Sequence, residues 1–274
     1  MDQYLEATYA VSRLVTEQYS TSFSMASRRF SKDVRVHIYA IYGLTRLADE
    51  IVDTYHGKYA SKLLDELERE TYEAIQISYS TNPITHAFAN TANTFGIDKV
   101  LIAPFFNSMR TDLKQKTFND EQYRTYIHGS AEVVGLMCLR VFCNGENRSY
   151  NKLKVGAAQL GAAYQKVNFL RDIAADHQEL GRYYFPIGSF KKFDEATKQY
   201  ILDDIRADFK NALPAAQHLP DNAIRAVLTS YRYYTALYRK LRRTPAETLK
   251  VKRIRINNLH KLILLFLPLN KGVK

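Results

Sequence analysis

Two carboxylates and an amide recur at every fourth position in YQKVNFLRDIAADHQELGRYYFP, residues 164–186. Asn168, Asp172 and Asp176 therefore share one face of a predicted helix, with Arg171 beside them. Carboxylates one turn apart repel each other unless a cation lies between them. Mg2+ prefers oxygen ligands and is commonly held by one or two carboxylates while substrate phosphates complete its shell. The spacing therefore predicts a site for Mg2+ together with a phosphorylated substrate.

A second stretch, YGLTRLADEIVD at residues 42–53, has the same pattern. Asp49 and Asp53 are four residues apart, and Arg46 lies one turn before Asp49. Two helices of this kind that face each other would form a cage of carboxylates and arginines. Such a cage could hold Mg2+ and a diphosphate together.

Spacing alone is a weak sign of a metal site, because the pairs Glu66/Glu70 and Asp204/Asp208 share it. We interpret these two pairs as solvated helix faces. The two pairs described above interrupt apolar sequence instead, where an unpaired charge is costly. That context favours a functional role for them.

A third stretch, TYIHGSAEVVGLMCLRVF at residues 125–142, concentrates small residues from Gly129 to Gly135 ahead of an apolar helix. Small residues let a backbone or a ligand approach closely. Tyr126 and His128 come just before them. We interpret His128 as a structural histidine and not as a catalyst.

All the elements that must position these residues are predicted to be helices. Apolar residues recur at three-to-four spacing between sparse breaks such as Asn82-Pro83, Gly96 and Pro186. No run alternates as a strand would, and about eight to twelve helices of ordinary length fit the chain. Because no internal linker interrupts the pattern, we expect residues 1–274 to form a single all-α domain.

The composition is that of a globular protein, with 46% hydrophobic and 24% charged residues, which excludes a disordered chain. The net charge of +11 favours anionic partners. Only Cys138 and Cys143 are present, which excludes a disulfide framework. We expect a cytoplasmic protein, since the N-terminus lacks a signal-peptide pattern. The apolar run LILLFL at residues 262–267 is far shorter than the ~20 residues of a spanning helix.

These motifs resemble the squalene and phytoene synthases, the head-to-head branch of the isoprenyl diphosphate synthases. The second signature of that family is supplied in order by LGAAYQKVNFLRDIAADHQELGRYYFP at residues 160–186. TRLADEIVD at residues 45–53 resembles the first aspartate motif, and STSF at residues 20–23 resembles its Ser-x-Ser-Phe element. The resemblance covers about residues 20–186 and implies the all-helical terpenoid synthase barrel with a central pocket.

The resemblance also implies a role for each matching position. Carboxylates and an amide would hold Mg2+, for which Mn2+ could substitute, while arginines and serines would contact the diphosphates. Tyrosines and a glutamine would lie near the reacting carbons. The metal ligands would be Asp49, Asp53, Asn168, Asp172 and Asp176, the diphosphate ligands Ser20, Ser22, Arg46 and Arg171, and the catalytic residues Tyr42, Tyr126, Gln165 and Tyr184.

Two positions depart from the family pattern. The usual Val-Ala-Gly stretch is Ser130-Ala131-Glu132, which places a carboxylate where Gly is common. Tyr19 stands where His often precedes the Ser-x-Ser element. Neither departure removes a metal ligand, but both affect the assignment of proton-handling groups.

The resemblance implies condensation of two allylic isoprenyl diphosphates through a cyclopropyl diphosphate. We expect two geranylgeranyl diphosphates to give phytoene, a step of carotenoid biosynthesis. The alternative is farnesyl diphosphate giving squalene or dehydrosqualene, with NADPH needed only for squalene. Mg2+ and arginines would neutralise the departing diphosphate. The many aromatic side chains, 20 Tyr and 14 Phe, would shield the carbocation.

Two other classes of function fit the sequence less well. A non-catalytic relative acting as an assembly factor would tend to lose acidic ligands, yet all four aspartates are present. A basic nucleic-acid binder would leave the buried carboxylates unexplained, so we expect no nucleic-acid partner. The stretch VKRIRINNLHKLILLFLPL at residues 251–269 fits either peripheral contact with an anionic membrane surface or a core helix with a basic outer face. No pattern predicts an oligomeric state.

Overall fold

The chain folds into α-helices joined by short turns. The computed structural model describes residues 2–55 and 57–257 together with residues 261 and 263. Within these residues no β-strand forms, and Thr117 and Tyr183 make an isolated β-bridge. The helices are α1 (Gln3–Tyr19), α2 (Thr21–Ser27), α3 (Lys32–Asp49), α4 (Ala60–Ile77), α5 (Pro83–Phe95), α6 (Lys99–Lys114), α7 (Asp120–Ile127), α8 (Val133–Phe142), α9 (Asn147–Leu180), α10 (Glu195–Gln217), α11 (Ile224–Arg243) and α12 (Ala246–Leu249).

Two turns of π-helix and one of 3-10 helix complete the regular structure of the described residues. The π turns Glu50–Thr54 and His128–Glu132 continue α3 and α7, and Phe190–Lys192 is the 3-10 turn. In the first π turn the N–H of Tyr55 donates to the carbonyl of Glu50 at 3.0 Å, five residues back. Single π turns of this kind often occur at functional sites.

Polar caps and glycines fix where helices begin and end. The Asn82 side chain accepts hydrogen bonds at the start of α5, and Pro83 occupies its first position. Helices α5 and α9 end at Gly96 and Gly181, whose φ angles of 68° and 66° suit glycine. The helix breaks predicted from the sequence at Asn82-Pro83 and Gly96 are therefore present.

Helix α9, with 34 residues, is the longest in the described chain and packs against α8, α10 and α11. A Cβ atom on Gly161 would lie 2.5 Å from the backbone oxygen of Ala131, and one on Gly135 would lie 2.9 Å from that of Ala157. Real side chains never come that close. The small residues therefore allow the close approach of backbones that the sequence predicts.

One carboxylate pair interpreted as solvated is partly buried. The Lys166 ammonium lies 2.6 Å from an oxygen of Asp204 and 2.7 Å from one of Asp208, and its side chain is only 10% exposed. That interpretation was therefore wrong for Asp208, because α9 supplies a buried cation across from α10. Glu70 also has partners, since it accepts hydrogen bonds from the side chains of Ser80 and Asn82.

The structure bears on membrane contact only in part. No helix among the described residues is long and apolar enough to cross a membrane. The apolar run at residues 262–267 lies outside the described part of the chain except for Ile263. Peripheral membrane contact through this run stays a prediction.

Candidate active site

A cavity of about 960 Å³ opens between the helices and runs along α9. Its lining includes the aspartates at one end and apolar residues such as Phe30, Phe142 and Leu153 at the other. Phe30 and Phe142 stack with their ring centres 5.3 Å apart. Along α9, the 19 residues from Leu153 to Asp172 correspond to about 28 Å at about 1.5 Å per residue. The cavity is therefore long, with a charged end and an apolar end.

The structure brings the predicted site residues together around this cavity. Ser22 is the exception, because its side chain is outside the described part of the structure. The others come from the N-cap of α2, from α3 and its π turn, from α7 and α9, and from the segment after α9. The residues that line the cavity are Ser20, Tyr42, Arg46, Asp49, Asp53, Tyr126, Gln165, Asn168, Arg171, Asp172, Asp176 and Tyr184.

The first aspartate motif lies where α3 passes into its π turn. Arg46 pairs closely with Glu50 and lies 3.9 Å from an oxygen of Asp49. Its guanidinium also sits 4.2 Å from the ring centre of Tyr19, a cation–π contact. Tyr19, one of the two departures from the family pattern, thus helps to hold Arg46 in place.

Asp49 is crowded by protein and by other carboxylates. Its side chain is 38% exposed and lines the cavity. Burial raises the pKa of Asp49 to about 7, and the neighbouring Asp53 carboxylate adds to the rise. The carboxylate thus lies where a cation would be stabilised.

Arg182, from the RYYFP end of the second signature, reaches the first motif. It is 3% exposed, and its Nη1 donates to Asp53 at 2.6 Å and to the Tyr184 hydroxyl at 3.2 Å. Its Nε lies 3.9 Å from an oxygen of Asp112. A guanidinium so deeply buried needs carboxylate partners, and these two aspartates supply them.

Asp112 is a cavity residue that the sequence analysis missed. It is only 4% exposed, and it accepts hydrogen bonds from Tyr126 at 2.5 Å and Tyr184 at 3.2 Å. Burial raises the pKa of Asp112 to about 6, against the opposing effect of Arg182. Asp112 has no acidic residue one helical turn away, so no spacing pattern marked it. The clue in the sequence was the arginine of RYYFP, which required a buried counter-ion.

In the second aspartate motif, two arginines bind the carboxylate of Asp172. Arg171 approaches the two oxygens of Asp172 at 2.9 and 2.6 Å. Arg253, from the segment after α12, approaches the same oxygens at 2.7 and 3.2 Å. Arg253 is a second cavity residue that the sequence analysis did not assign to the site.

The Asp176 carboxylate differs from that of Asp172 in its ion-pair partners. Among the described residues, no cationic side chain forms an ion pair with its carboxylate. Burial raises the pKa of Asp176 to about 8, and the negative charges of Asp172 and Asp53 add to the rise. Because Asp53 belongs to the first motif, the two motifs come close enough at Asp176 to repel each other.

The donor groups fit a hard divalent cation. Within the described residues, no three His, Cys, Asp or Glu side chains form a metal cluster by themselves. A cation would therefore be held by one or two carboxylates and by oxygens of a bound phosphate, which is the usual arrangement for Mg2+. The raised pKa values of Asp49 and Asp176 indicate crowded carboxylates that such a charge would relieve. Asn168 adds an amide oxygen, which accepts from Tyr234 at 3.4 Å.

Aromatic rings cover the cavity wall below the aspartates. Tyr184 stacks on Phe169 with ring centres 3.9 Å apart, and Tyr126 lies 5.1 Å from Tyr184. On the α3 side, Tyr42 stacks on Phe23 at 5.1 Å. Burial raises the pKa of the Tyr42 hydroxyl to about 12, so it stays protonated at neutral pH. These rings can stabilise a cation without offering it a nucleophile.

The other departure from the family pattern turns away from the cavity. Glu132 lies 2.9 Å from Nδ1 of His128 and is not part of the cavity lining. Gly129, beside them, packs against α6: a Cβ there would lie 2.2 Å from the carbonyl oxygen of Pro104. The carboxylate of Glu132 therefore partners His128, and His128 does not reach the reaction space.

Comparison with solved structures identifies the architecture. A crystal structure of a dehydrosqualene synthase in complex with ligand superposes with a TM-score of 0.82. The match covers 96% of this chain and 95% of that chain, at 19% sequence identity. The predicted all-α terpenoid synthase fold is confirmed by this likeness.

Sequence comparisons agree with the fold. The 4,4'-diapophytoene synthase of Staphylococcus haemolyticus is 27% identical over 74% of this chain and 70% of its own length. The phytoene synthase of Arthrospira platensis is 30% identical over 68% of this chain and 63% of its own length. The sequence model of the squalene/phytoene synthase family matches residues 16–260. The chain belongs to the squalene/phytoene synthase family, the head-to-head isoprenyl diphosphate synthases.

Proposed function

We propose that this protein condenses two geranylgeranyl diphosphates head to head to give phytoene. The observation that carries the proposal is a single cavity that joins two aspartate motifs to a long apolar tunnel. The charged end suits two diphosphates, and the tunnel suits two hydrocarbon tails. The names of the Arthrospira and staphylococcal relatives agree with a product of this class.

The length of the tunnel favours a long substrate. An extended geranylgeranyl chain has sixteen carbons along its backbone, about 20 Å at ordinary carbon–carbon bond lengths. The distance from Asp172 to Leu153 along α9 is about 28 Å. A geranylgeranyl tail is therefore shorter than the stretch of α9 that lines the cavity between these two residues.

The charged end is proposed to bind and orient the two diphosphates. Asp49, Asp53, Asn168, Asp172 and Asp176 would hold Mg2+, which neutralises negative charge on the departing diphosphate. Arg46 and Arg171 add fixed positive charge beside those oxygens. The Ser20 hydroxyl, which accepts from the N–H of Phe23 at 3.2 Å, can donate its proton to a phosphate oxygen.

Below the diphosphates, the reaction needs dryness and a route for protons. Ionisation of one substrate breaks its carbon–oxygen bond, and the double bond of the second attacks the resulting allylic cation. Loss of a proton closes the cyclopropane ring. Tyr126 and Tyr184 lie at this level and both donate to Asp112. We assign the transfer of the proton to these hydroxyls and its acceptance to the Asp112 carboxylate, while Gln165, which also lines the cavity, orients the substrate.

After the second ionisation and rearrangement, the fate of the cation decides the product. Loss of a second proton gives phytoene from C20 substrates or dehydrosqualene from C15 substrates. Hydride from NADPH would give squalene instead. The likeness of the fold to a dehydrosqualene synthase and a tunnel that also admits the shorter chain support C15 condensation as the second candidate.

The test is product analysis with purified protein and Mg2+. Farnesyl and geranylgeranyl diphosphate are supplied separately, each with and without NADPH, and the hydrocarbons are identified by mass. Phytoene that disappears on chelation supports the proposal. Formation of dehydrosqualene or squalene from farnesyl diphosphate would show that the substrate is the C15 diphosphate. Absence of hydrocarbon and of released diphosphate under every condition would overturn it and favour a non-catalytic assembly role.

A further inference from the structure

Residues 250–256 form a strap that crosses the charged end of the cavity. Ile254 and Ile256 are 5% and 4% exposed and line the cavity, so they anchor the strap. The backbone oxygen of Arg255 accepts from the Lys240 ammonium at 2.7 Å, which ties the strap to α11. Immediately before these anchors, Arg253 points its guanidinium at Asp172.

The carboxylate of Asp172 is fully occupied in this arrangement. Each of its two oxygens lies within 3.2 Å of a nitrogen of Arg171 and of a nitrogen of Arg253. A carboxylate has about four lone-pair positions, and two forked guanidiniums use them. A divalent cation can therefore coordinate Asp172 only when one arginine leaves.

Arg253 is the arginine that can leave at lower cost. Its side chain is 45% exposed, whereas that of Arg171 is 18% exposed and lies within the helix that carries Asp172. Ile254 and Ile256 can hold the strap while the Arg253 side chain alone changes rotamer. Arg171 has no such freedom, because its buried guanidinium would be left unpaired if it moved away from Asp172.

We propose that Arg253 is a latch that occupies Asp172 until a divalent cation arrives together with a diphosphate. This inference rests on the proposed function, since it assumes that Asp172 binds a cation. When the cation coordinates Asp172, the guanidinium is released and its new partner is the anionic diphosphate. Cation and diphosphate therefore bind cooperatively, and the cation alone binds weakly. The device prevents the site from filling with metal before substrate is present.

The test measures binding of Mn2+ to metal-free protein by electron paramagnetic resonance, with and without inorganic pyrophosphate. In the absence of pyrophosphate, Arg253→Ala is expected to bind Mn2+ about threefold to tenfold more tightly than the wild type, because a charge-assisted competitor is gone. With pyrophosphate the advantage disappears, since the variant lacks the cation that pairs with the anion. Arg253→Lys should lie between the two, because it keeps the charge and loses the fork.

Lys252→Ala is the matched control. It removes one positive charge from the adjacent, exposed position of the same strap, and Lys252 does not line the cavity. Equal Mn2+ affinity of the wild type and Arg253→Ala would overturn the latch and leave the proposed function intact. An equal gain in Mn2+ affinity in Lys252→Ala would show that the effect comes from net charge alone, and it would also overturn the latch. Failure of Mn2+ to bind any variant, even with pyrophosphate, would overturn the metal site and the latch together.

Discussion

Asp49 and Asp53 lie where a helix changes its winding, whereas Asp172 and Asp176 lie within one uninterrupted helix. The first pair finds cations on both sides, Arg46 from its own helix and Arg182 from beyond α9. In the second pair, one carboxylate is held by two guanidiniums and the other by none among the described residues. Aspartates at equal spacing therefore have different numbers of cationic partners.

The four aspartates fall into two kinds, those held by arginines and those with raised pKa values. Asp53 and Asp172 are held in place by hydrogen bonds from arginines, so their positions are fixed before any ligand binds. Asp176 and Asp49 carry raised pKa values because burial and like charges surround them. A cation that binds between the motifs is stabilised most by the carboxylates of Asp49 and Asp176.

The largest effect is expected at Asp176. Asp176→Asn should lower product formation by about 10³-fold, since it removes a charge that stabilises bound Mg2+ as the diphosphate departs. Product formed per unit of folded protein is the measurement. Activity within tenfold of the wild type would show that the Asp176 carboxylate is not a metal ligand, and that its raised pKa does not mark a cation site.

The same variant should be more stable than the wild type. The folded pKa of Asp176, about 8, lies above its unfolded value, so the unfolded chain releases the proton first as pH rises. The contribution of Asp176 to the free energy of unfolding is fully present below about pH 4 and is lost by about pH 8. The melting temperature of Asp176→Asn should therefore exceed that of the wild type increasingly over this range. An advantage that does not grow with pH would contradict the charge state assigned to Asp176.

The next largest effect is expected at Asp112, which links the two tyrosines to Arg182. Asp112→Asn keeps the shape but leaves Arg182 with one carboxylate partner, Asp53. Breaking a buried ion pair from one side costs about 3 kcal/mol, and loss of the proton acceptor should lower turnover by about 10²-fold. Denaturant unfolding and product analysis measure the two effects separately. Unchanged turnover in the folded variant would remove Asp112 from the proton route.

The sequence predicted the local features of this site well. Helical periodicity placed Asn168, Asp172 and Asp176 on one face, and the structure has them lining one cavity. Such features depend on residues three or four positions apart, which a pattern can detect. The helical fold follows from the same periodicity and from caps such as Asn82 and Gly96.

Contacts between distant residues were not predictable in the same way. Arg182 and Asp53 are 129 residues apart, and Arg253 and Asp172 are 81 apart. No periodicity connects them, because tertiary packing of the helices decides which side chains meet. Asp112 was missed for the same reason. The π turn after Asp49 also carried no signal, since its sequence continues the pattern of α3.

The smallest effect is expected at Asp208, which has the same spacing from Asp204 as the aspartates of the two motifs. Lys166 keeps its other partner, Asp204, when Asp208→Asn is made, so the loss of stability should be about 1 kcal/mol. Turnover per folded molecule should not change, because this pair faces α9 from α10 and Asp208 does not line the cavity. The variant is therefore the matched control for Asp176→Asn, with the same substitution in a partly buried pair. A loss of turnover comparable to that of Asp176→Asn would mean that burial and spacing, and not access to the cavity, mark the functional aspartates.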